Sequence, residues 1–337
     1  MGVLRLLLAL TVLNWHYQFT HYNFIFSYSA VFLFMIISGF YISMVLDQRY
    51  GPGVKGALLF YGNRLLRLLP PYWVVFLATS AFNPPGGDWL NNLLLFPHAL
   101  WAQLALTPGD SNELYFGQML TVALEMMFYA IAPLIVLRVW YIQALAFAAA
   151  AALNGVLWWN GADAEAWQYQ FFPSILIYFF AGSLAYRLYL LAMKWPVAPF
   201  IGHLALPMIV FTGWLSRSAT GPIWTNDARI YAYYALCTML IPFLFIASSR
   251  WRFDRFIGDL SYPLYIVHAP VIWLIWKFAS TEHSDRGAYV VLLLSLVFAV
   301  LLAIFIDRPI DKWRHRLTAK ELRLRIGRLW LHRGAPG

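Results

Sequence analysis

Two ionisable residues, Arg5 and His16, lie in an otherwise apolar stretch near the start of the chain. They are eleven residues apart. That is about three helical turns, so on a helix they share one face about 16 Å apart. A buried histidine can act as a general base at neutral pH, and an arginine at a membrane boundary can hold a phosphate-bearing donor. The pair therefore predicts proton transfer beside an anion site, with a snorkelling arginine and a packed histidine as the structural alternative.

A carboxylate, Glu125, occupies another apolar stretch, eight residues in from the outer end of its predicted helix. Its depth is comparable to that of His16, and a carboxylate there can orient an imidazole or contact an incoming hydroxyl. The structural alternative is a hydrogen bond between helices. Glu125 is therefore the second candidate catalytic residue.

Two further groups of polar residues share a helix face. Ser261, Tyr265 and His268 recur at spacings of four and three, which predicts the wall of a pocket; a core histidine is the alternative. Arg64 and Arg67 are spaced i, i+3 at the inner end of a predicted span. Because ordinary cations at a membrane boundary have the same appearance, the arginine pair alone leaves a binding role open.

Several common site motifs do not occur in the sequence. There is no His-Glu-x-x-His, no Cys-x-x-Cys and no carboxylate cluster with metal-site spacing, so we predict no metal site. Gly-x-Gly-x-x-Gly, P-loop and Gly-x-Ser-x-Gly signatures are also missing. These absences argue against an ATP-driven pump and against a serine hydrolase with a nucleophile elbow.

The amino-acid composition indicates the class of protein to which these residues belong. Of 337 residues, 61% are hydrophobic and only 12% are charged, whereas a soluble domain carries about 25% charged residues. The net charge of +9 does not indicate a nucleic-acid partner, because the 24 Lys and Arg lie between apolar runs instead of on one amphipathic face. The single cysteine, Cys237, cannot form an internal disulfide. The chain is therefore predicted to be an integral membrane protein in contact with the lipid bilayer.

About ten segments are long and apolar enough to cross the bilayer, which predicts an all-α, polytopic membrane helix bundle. They are 3–20, 28–46, 69–83, 117–137, 141–158, 172–190, 199–216, 229–248, 262–279 and 288–306. The apolar run 91–106 is interrupted by Asn91, Asn92, Pro97 and His98, and we interpret it as a re-entrant or interfacial segment.

The basic residues predict the orientation, because cytoplasmic loops are enriched in Lys and Arg. With the N-terminus in the cytoplasm, 20 of the 24 fall inside. The four outside are Arg217, Arg229, Lys277 and Arg286. Both termini are therefore predicted to be cytoplasmic. We assign residues 1–310 to one transmembrane domain and residues 311–337 to a basic cytoplasmic tail, which is either an interfacial helix or a topology-setting segment.

Six motifs occur in order over nearly the whole chain and resemble those of the acyltransferase 3 family of membrane O-acyltransferases. They are Arg5 with ten residues before His16, Ser38-Gly39-Phe40, Arg64-x-x-Arg67 with Pro70-Pro71-Tyr72, Glu125 with Phe128-Tyr129, Ser261-Tyr262-x-x-Tyr265-x-x-His268, and Asp307-Arg308-Pro309. The chain departs from the family pattern at Leu120, where Trp is frequent, at Thr121, where Ser is usual, and at Asp307, where Glu is usual. These departures leave the subfamily and the substrate open.

The resemblance implies transfer of an acyl group, by default acetyl, from acyl-CoA to a sugar hydroxyl of a surface polysaccharide, lipopolysaccharide or lipid-linked glycan. It implies His16 as general base or acyl carrier, with Glu125 orienting His16 or the sugar. The implied acyl-CoA-binding residues are Arg5, Arg64, Arg67, Ser261, Tyr265 and His268. Acetyl-CoA is a donor substrate, and no permanently bound cofactor is expected. The resemblance also suggests a bacterial inner membrane.

Two other classes of protein fit a chain of this kind. A transporter or flippase of lipid-linked glycans would also have ten or more helices and buried charge, but it would be expected to show paired half-repeats with broken helices. No such symmetry is evident. A scaffold or sensor with a degenerate site is disfavoured because Arg5, His16 and Glu125 are all present.

Overall fold

A computed structural model describes residues 1–17, 25, 27–50, 53–85, 89–95, 100, 103–104, 106–107, 114–136, 139–217, 228–279 and 285–314. Within these ranges the chain forms helices and contains no strand. The helices are α1 (Gly2–Tyr17), α2 (Ser27–Val45), α3 (Val54–Ser80), α4 (Trp89–Leu94), α5 (Met119–Ile135), α6 (Trp140–Trp159), α7 (Phe172–Ala192), α8 (Ala198–Arg217), α9 (Ala228–Ser248), α10 (Arg252–Ala279) and α11 (Asp285–Leu302). Short π-helical segments follow α2, precede α7 and follow α11, at Leu46–Tyr50, Glu165–Gln170 and Ala303–Asp307.

The described helices include several that can span a membrane. Six stretches are long and apolar enough to do so: Ser27–Tyr50, Trp140–Trp159, Phe172–Ala192, Ala198–Ser216, Arg229–Ser248 and Gly287–Arg314. The prediction of an all-α membrane protein is thereby confirmed. A long helix also coincides with every predicted span, but the count of ten crossings and the cytoplasmic side of both termini stay predictions.

Helix α2 lies at the centre of the bundle. It is apolar on all sides, with a sequence rich in Phe, Ile and Met, and such a helix is stable only when it is enclosed. It contacts α1, α5, α7 and α9. Helix α6 lies at the periphery instead, where it buries only Gln143 and Ala150 and exposes large apolar side chains. Such a surface suits contact with lipid.

Glycines allow the central helices to approach closely. A Cβ atom on Gly39 in α2 would lie 2.0 Å from the carbonyl oxygen of Phe179, and one on Gly182 in α7 would lie 2.0 Å from that of Ile36. Close backbone approach through small residues is the usual way in which membrane helices associate. The pair fixes α7 against α2, which carries Ser38 toward the interior.

Two helix boundaries differ from the predicted spans. Helix α3 runs from Val54 to Ser80 with Pro70 and Pro71 inside it, although the span was predicted to begin near the prolines. Membrane helices tolerate internal proline because neighbouring groups satisfy the freed backbone. Helix α10 begins at Arg252, ten residues before its predicted span. Both extensions carry polar residues of the predicted site on regular helix.

The other segment predictions fall only partly on described residues. The interrupted run 91–106 begins in the short helix α4, whose carbonyl groups at Asn92 and Leu93 accept hydrogen bonds from Tyr72 Oη (2.6 Å) and Trp73 Nε1 (2.8 Å) of α3. Its interfacial placement stays a prediction. The basic tail after Arg314 lies outside the described residues, and the domain boundary at residue 310 also stays a prediction.

Candidate functional site

Helices α1, α2, α3, α5 and α10 surround a cavity of about 530 Å³. Six of the eight residues predicted for the site line it: Arg5, Arg64, Arg67, Glu125, Ser261 and Tyr265. The other two, His16 and His268, do not. The fold therefore brings together residues from the first and last thirds of the sequence and separates the histidines from them.

Cationic groups dominate the charged lining of this cavity. The lining contains six arginines and four carboxylates, namely Arg5, Arg49, Arg64, Arg67, Arg255 and Arg314, and Glu125, Asp254, Asp259 and Asp311. An excess of fixed positive charge in a concave site attracts an anion. Planar guanidinium groups in particular match the geometry of phosphate.

Arg64 is held in the cavity wall, and it forms no ion pair with any residue that the structure describes. It is 8% exposed, and its guanidinium carbon lies 5.7 Å from the ring centroid of Phe60 and 6.0 Å from that of Tyr129. Its Nε atom is buried and has no hydrogen-bond partner among the described residues. Leaving a buried donor unpaired costs about 1–3 kcal/mol, and more for a charged group. A bound anion would satisfy this donor.

Arg5 owes its position to the contact between the first turns of α1 and α10. The Asp254 carboxylate accepts hydrogen bonds from the backbone N–H groups of Gly2 (2.8 Å) and Val3 (2.9 Å). A carboxylate at a helix N-terminus satisfies otherwise unpaired N–H groups. A Cβ atom on Gly2 would lie 1.6 Å from the carbonyl oxygen of Asp254, so only glycine permits this approach. The contact directs Arg5 into the cavity.

Glu125 is hydrogen-bonded within the cavity wall. Its Oε1 atom accepts hydrogen bonds from Ser38 Oγ of α2 and from Tyr129 Oη one turn along α5, the latter at 2.7 Å. The described residues give no hydrogen bond between Glu125 and His16. The expected contact between the two candidate catalytic residues is therefore not made in this conformation, and the role of Glu125 stays a prediction.

The two histidines form a pair beyond the cavity. The rings of His16 and His268 stack with centroids 5.3 Å apart and an interplanar angle of 30°. His268 is 0% exposed, and neither of its ring nitrogens has a hydrogen-bond partner among the residues that the structure describes. His16, in the last turn of α1, is exposed. The pair thus combines one accessible imidazole with one that is enclosed.

Tyr265 lies between the cavity and the histidine pair. It lines the cavity, and its ring centroid is 5.7 Å from that of His268. Its hydroxyl lies 2.7 Å from the hydroxyl of Thr121 and donates to the backbone oxygen of Gln118 at 3.2 Å. Ser261, one turn before Tyr265, donates to the carbonyl of Gly258 at 2.7 Å. The face predicted for α10 therefore reaches from the cavity to the histidines.

Sequence reasoning missed several cavity residues. Asp311 and Arg314 follow Asp307 at spacings of four and three, the same pattern that identified Ser261, Tyr265 and His268. They were instead counted with the basic tail. Arg49, Arg255 and Asp259 lie just outside the predicted spans and were not predicted as site residues. Recognising that α10 begins before its apolar stretch would have placed Arg255 and Asp259 on helix.

Comparison with known proteins gives one family match. A family model described as an acyltransferase domain, of the acyltransferase 3 type, matches residues 1–308. Neither the search of curated proteins nor that of solved structures gives a match.

Proposed function

This chain belongs to the acyltransferase 3 family, and on that premise we propose that it is a membrane O-acyltransferase that moves an acyl group, acetyl by default, from acyl-CoA to a sugar hydroxyl. The acceptor class is a surface polysaccharide, lipopolysaccharide or lipid-linked glycan, and the membrane is a bacterial inner membrane. Membership of the family makes the chain an acyltransferase. The donor, the acceptor and the residue roles are the proposal.

The observation that carries the donor assignment is the buried, unpaired Arg64 in a cavity rich in arginine. Charge-assisted hydrogen bonds to phosphate are among the strongest that a protein makes. Acyl-CoA brings several phosphate groups at one end of a long pantetheine arm and a thioester at the other. In the proposal Arg5, Arg64 and Arg67 bind the phosphates, and the arm extends along α1 toward His16.

The chemistry proposed at the far end of the arm is general-base catalysis by His16. A neutral ring nitrogen of His16 takes the proton of the acceptor hydroxyl while the hydroxyl oxygen attacks the thioester carbonyl carbon. The carbon–sulfur bond then breaks, and the proton passes from the imidazolium to the departing thiolate. The alternative within the same proposal is an acyl group carried briefly on His16 before transfer to the sugar.

The proposal requires the thioester to pass Tyr265. In the described conformation the Tyr265 side chain separates the cavity from His268 and His16, held by the contact with Thr121. A rotation of Tyr265 away from Thr121 and Gln118 would open this path at the cost of two hydrogen bonds, each worth roughly 0.5–1.5 kcal/mol. A free-energy cost of this size permits the rotation in each turnover.

The experiment uses inverted membrane vesicles, which expose the cytoplasmic face, supplied with acetyl-labelled acetyl-CoA. Label is followed into extractable glycan or glycolipid. Wild-type protein should transfer label, and Arg64→Gln should raise the KM for acetyl-CoA at least tenfold, or about 1.4 kcal/mol. Arg252→Gln is the matched control, because Arg252 is exposed and does not line the cavity.

Transfer that is equally efficient in wild type and Arg64→Gln would contradict the donor assignment. Absence of transfer from acetyl-CoA and from longer acyl-CoA donors would contradict the proposed donor class altogether. Acid-quenched samples would also show whether label accumulates on the protein, as acylation of His16 requires.

A further inference from the structure

The helical segment that continues the last apolar helix contributes two residues to the cavity lining. Residues 308–314 continue the helix beyond the π-helical turn Ala303–Asp307, and both Asp311 and Arg314 line the cavity. The family match ends at residue 308. Arg314 is thus a cavity residue that lies outside the matched domain.

The contacts of the Arg314 guanidinium include one with α3 and one within its own helical segment. Its Nε donates to Asn63 Oδ1 at 3.2 Å, and one terminal nitrogen donates to Asp311 Oδ1 at 2.5 Å. Arg314 itself is 8% exposed. The bond to Asn63 holds the Arg314 guanidinium against α3, in the cavity that Arg64 also lines.

Arg314 lies in a cavity whose lining contains more arginines than carboxylates. Arg314 experiences the positive charges of both Arg64 and Arg67, and Arg64 makes no ion pair with a described residue. Its partner Asp311 has a side chain that is 43% exposed, so much of that carboxylate is solvated. Carboxylates offset part of this positive charge, and a phosphate bound in this part of the cavity would add charge-assisted hydrogen bonds from the guanidinium groups.

We propose that Arg314 is a further donor-binding residue, which together with Arg64 recognises a phosphate of the nucleotide part of acyl-CoA at the mouth of the cavity. The inference rests on the proposed function. It deepens that function by assigning part of donor recognition to the segment after the matched domain.

The placement within the donor follows from its shape. The thioester must reach the histidine pair, which does not line the cavity and is next to Tyr265 in its wall. The nucleotide end of an extended donor is therefore placed away from the histidine pair, among the arginines of α3 and Arg314. Pantetheine, which lacks the nucleotide part, has no phosphate that could bind there.

The test measures binding instead of turnover, using the full chain purified in detergent and titrated with CoA or with pantetheine. Arg314→Gln should weaken CoA binding about tenfold, or about 1.4 kcal/mol, and leave pantetheine binding unchanged. Arg308→Gln is the matched control. Arg308 is on the same helical segment and is exposed, with its guanidinium carbon 5.1 Å from the Phe256 ring centroid, and it does not line the cavity.

Three results would overturn the inference. CoA binding by Arg314→Gln that equals wild-type binding would remove Arg314 from donor recognition while leaving the proposed function intact. Equal losses for CoA and pantetheine would show a purely structural role. Failure of the wild type to bind CoA would overturn the inference and the proposed function together.

A second variant keeps the inference testable if Arg314→Gln does not fold. Asp311→Asn removes the carboxylate that partly neutralises Arg314 and leaves the guanidinium bonded to Asn63. It should strengthen CoA binding about threefold, since the positive charge facing the phosphate is less compensated. Unchanged or weaker binding in Asp311→Asn would count against the inference.

Discussion

The imidazole rings of His16 and His268 stack with their centroids 5.3 Å apart, one from the first helix and one from the tenth. His16 is exposed, whereas His268 is fully enclosed, and within the described part of the chain its ring nitrogens have no hydrogen-bond partner. The sequence predicted a donor-binding role for His268. That role stays a prediction, and the ring contact suggests a second one, in which His268 orients His16 by packing; the two roles can be distinguished by experiment.

Replacing the His268 ring should affect the chemical step more than donor binding. His268→Leu removes the surface on which His16 stacks, and we expect a fall of about tenfold in kcat, since misplacement of a catalytic group by about 1 Å can cost more than that. The KM for acetyl-CoA should stay within twofold. His268→Phe retains a stacked ring and should keep most of the activity. A raised KM with unchanged kcat in His268→Leu would favour the donor-binding role.

The hydrogen bonds of Glu125 should contribute measurably to stability. Tyr129→Phe removes one donor to the carboxylate and should lower the free energy of unfolding by about 1 kcal/mol. In a Glu125→Ala background the same substitution should leave the free energy of unfolding almost unchanged, because the carboxylate that accepts the hydrogen bond is already gone. Tyr61→Phe is the control. The Tyr61 hydroxyl donates to the backbone oxygen of Ala130 at 2.9 Å, so the cost of removing it should be the same with and without Glu125. Equal costs of Tyr129→Phe in both backgrounds would show that the two side chains are not coupled.

The contact between α2 and α7 should not tolerate a methyl group at Gly182. A Cβ atom there would lie 2.0 Å from the Ile36 carbonyl oxygen, so Gly182→Ala should destabilise the protein by about 1–3 kcal/mol or more. Gly155→Ala is the control because no atom lies within 4 Å of its Cβ position, and it should be neutral or stabilising by up to about 1 kcal/mol. Thermal unfolding in detergent compares them. Equal unfolding midpoints for Gly182→Ala and Gly155→Ala would contradict the close approach of α2 and α7.

Acid should weaken the attachment of α1 to α10. Asp254 lies in the first turn of α10, ahead of its predicted span. Burial acts to raise its pKa, but hydrogen bonds from Gly2, the amino-terminal ammonium and Val3 outweigh this effect and lower the pKa below its ordinary value. The stabilisation is therefore complete above the unfolded pKa of about 4 and is lost as the pH falls through the folded value.

Asp254→Asn should consequently lower the unfolding midpoint near neutral pH and reduce its dependence on pH below about 4. Asp163→Asn provides the control, because the Asp163 carboxylate accepts a hydrogen bond from the Ala166 N–H group in an exposed turn. Identical pH profiles for wild type and Asp254→Asn would show that this contact contributes little.

Most of the fold could be predicted from the sequence because apolar stretches of membrane length are a strong signal. A helix coincides with each of the ten predicted spans. The boundaries of α3 and α10 were missed for a common reason. In both helices a polar, cavity-lining turn precedes the apolar stretch, and Pro70 in α3 looked like a helix start although the helix passes through it.

The candidate site was predictable as a set of residues but not as an arrangement. Periodicity placed Ser261, Tyr265 and His268 on one face, yet could not show that the cavity ends at Tyr265. Matching depths suggested that Glu125 faces His16, whereas rotation of α5 about its axis, which depth does not determine, directs the carboxylate to Ser38. Arg314 escaped notice because the last helix continues past its apolar stretch and brings this residue to the cavity lining.

The most direct test of the account is acetyl transfer in inverted membrane vesicles that contain wild type, His16→Ala or His203→Ala at equal protein levels. His203 is exposed at the first turns of α8, away from the cavity, and is the matched control. Wild type and His203→Ala should move label from acetyl-CoA into glycan or glycolipid, and His16→Ala should lose at least a hundredfold in rate, as is typical for removal of a general base. Transfer by His16→Ala at the wild-type rate would contradict the account.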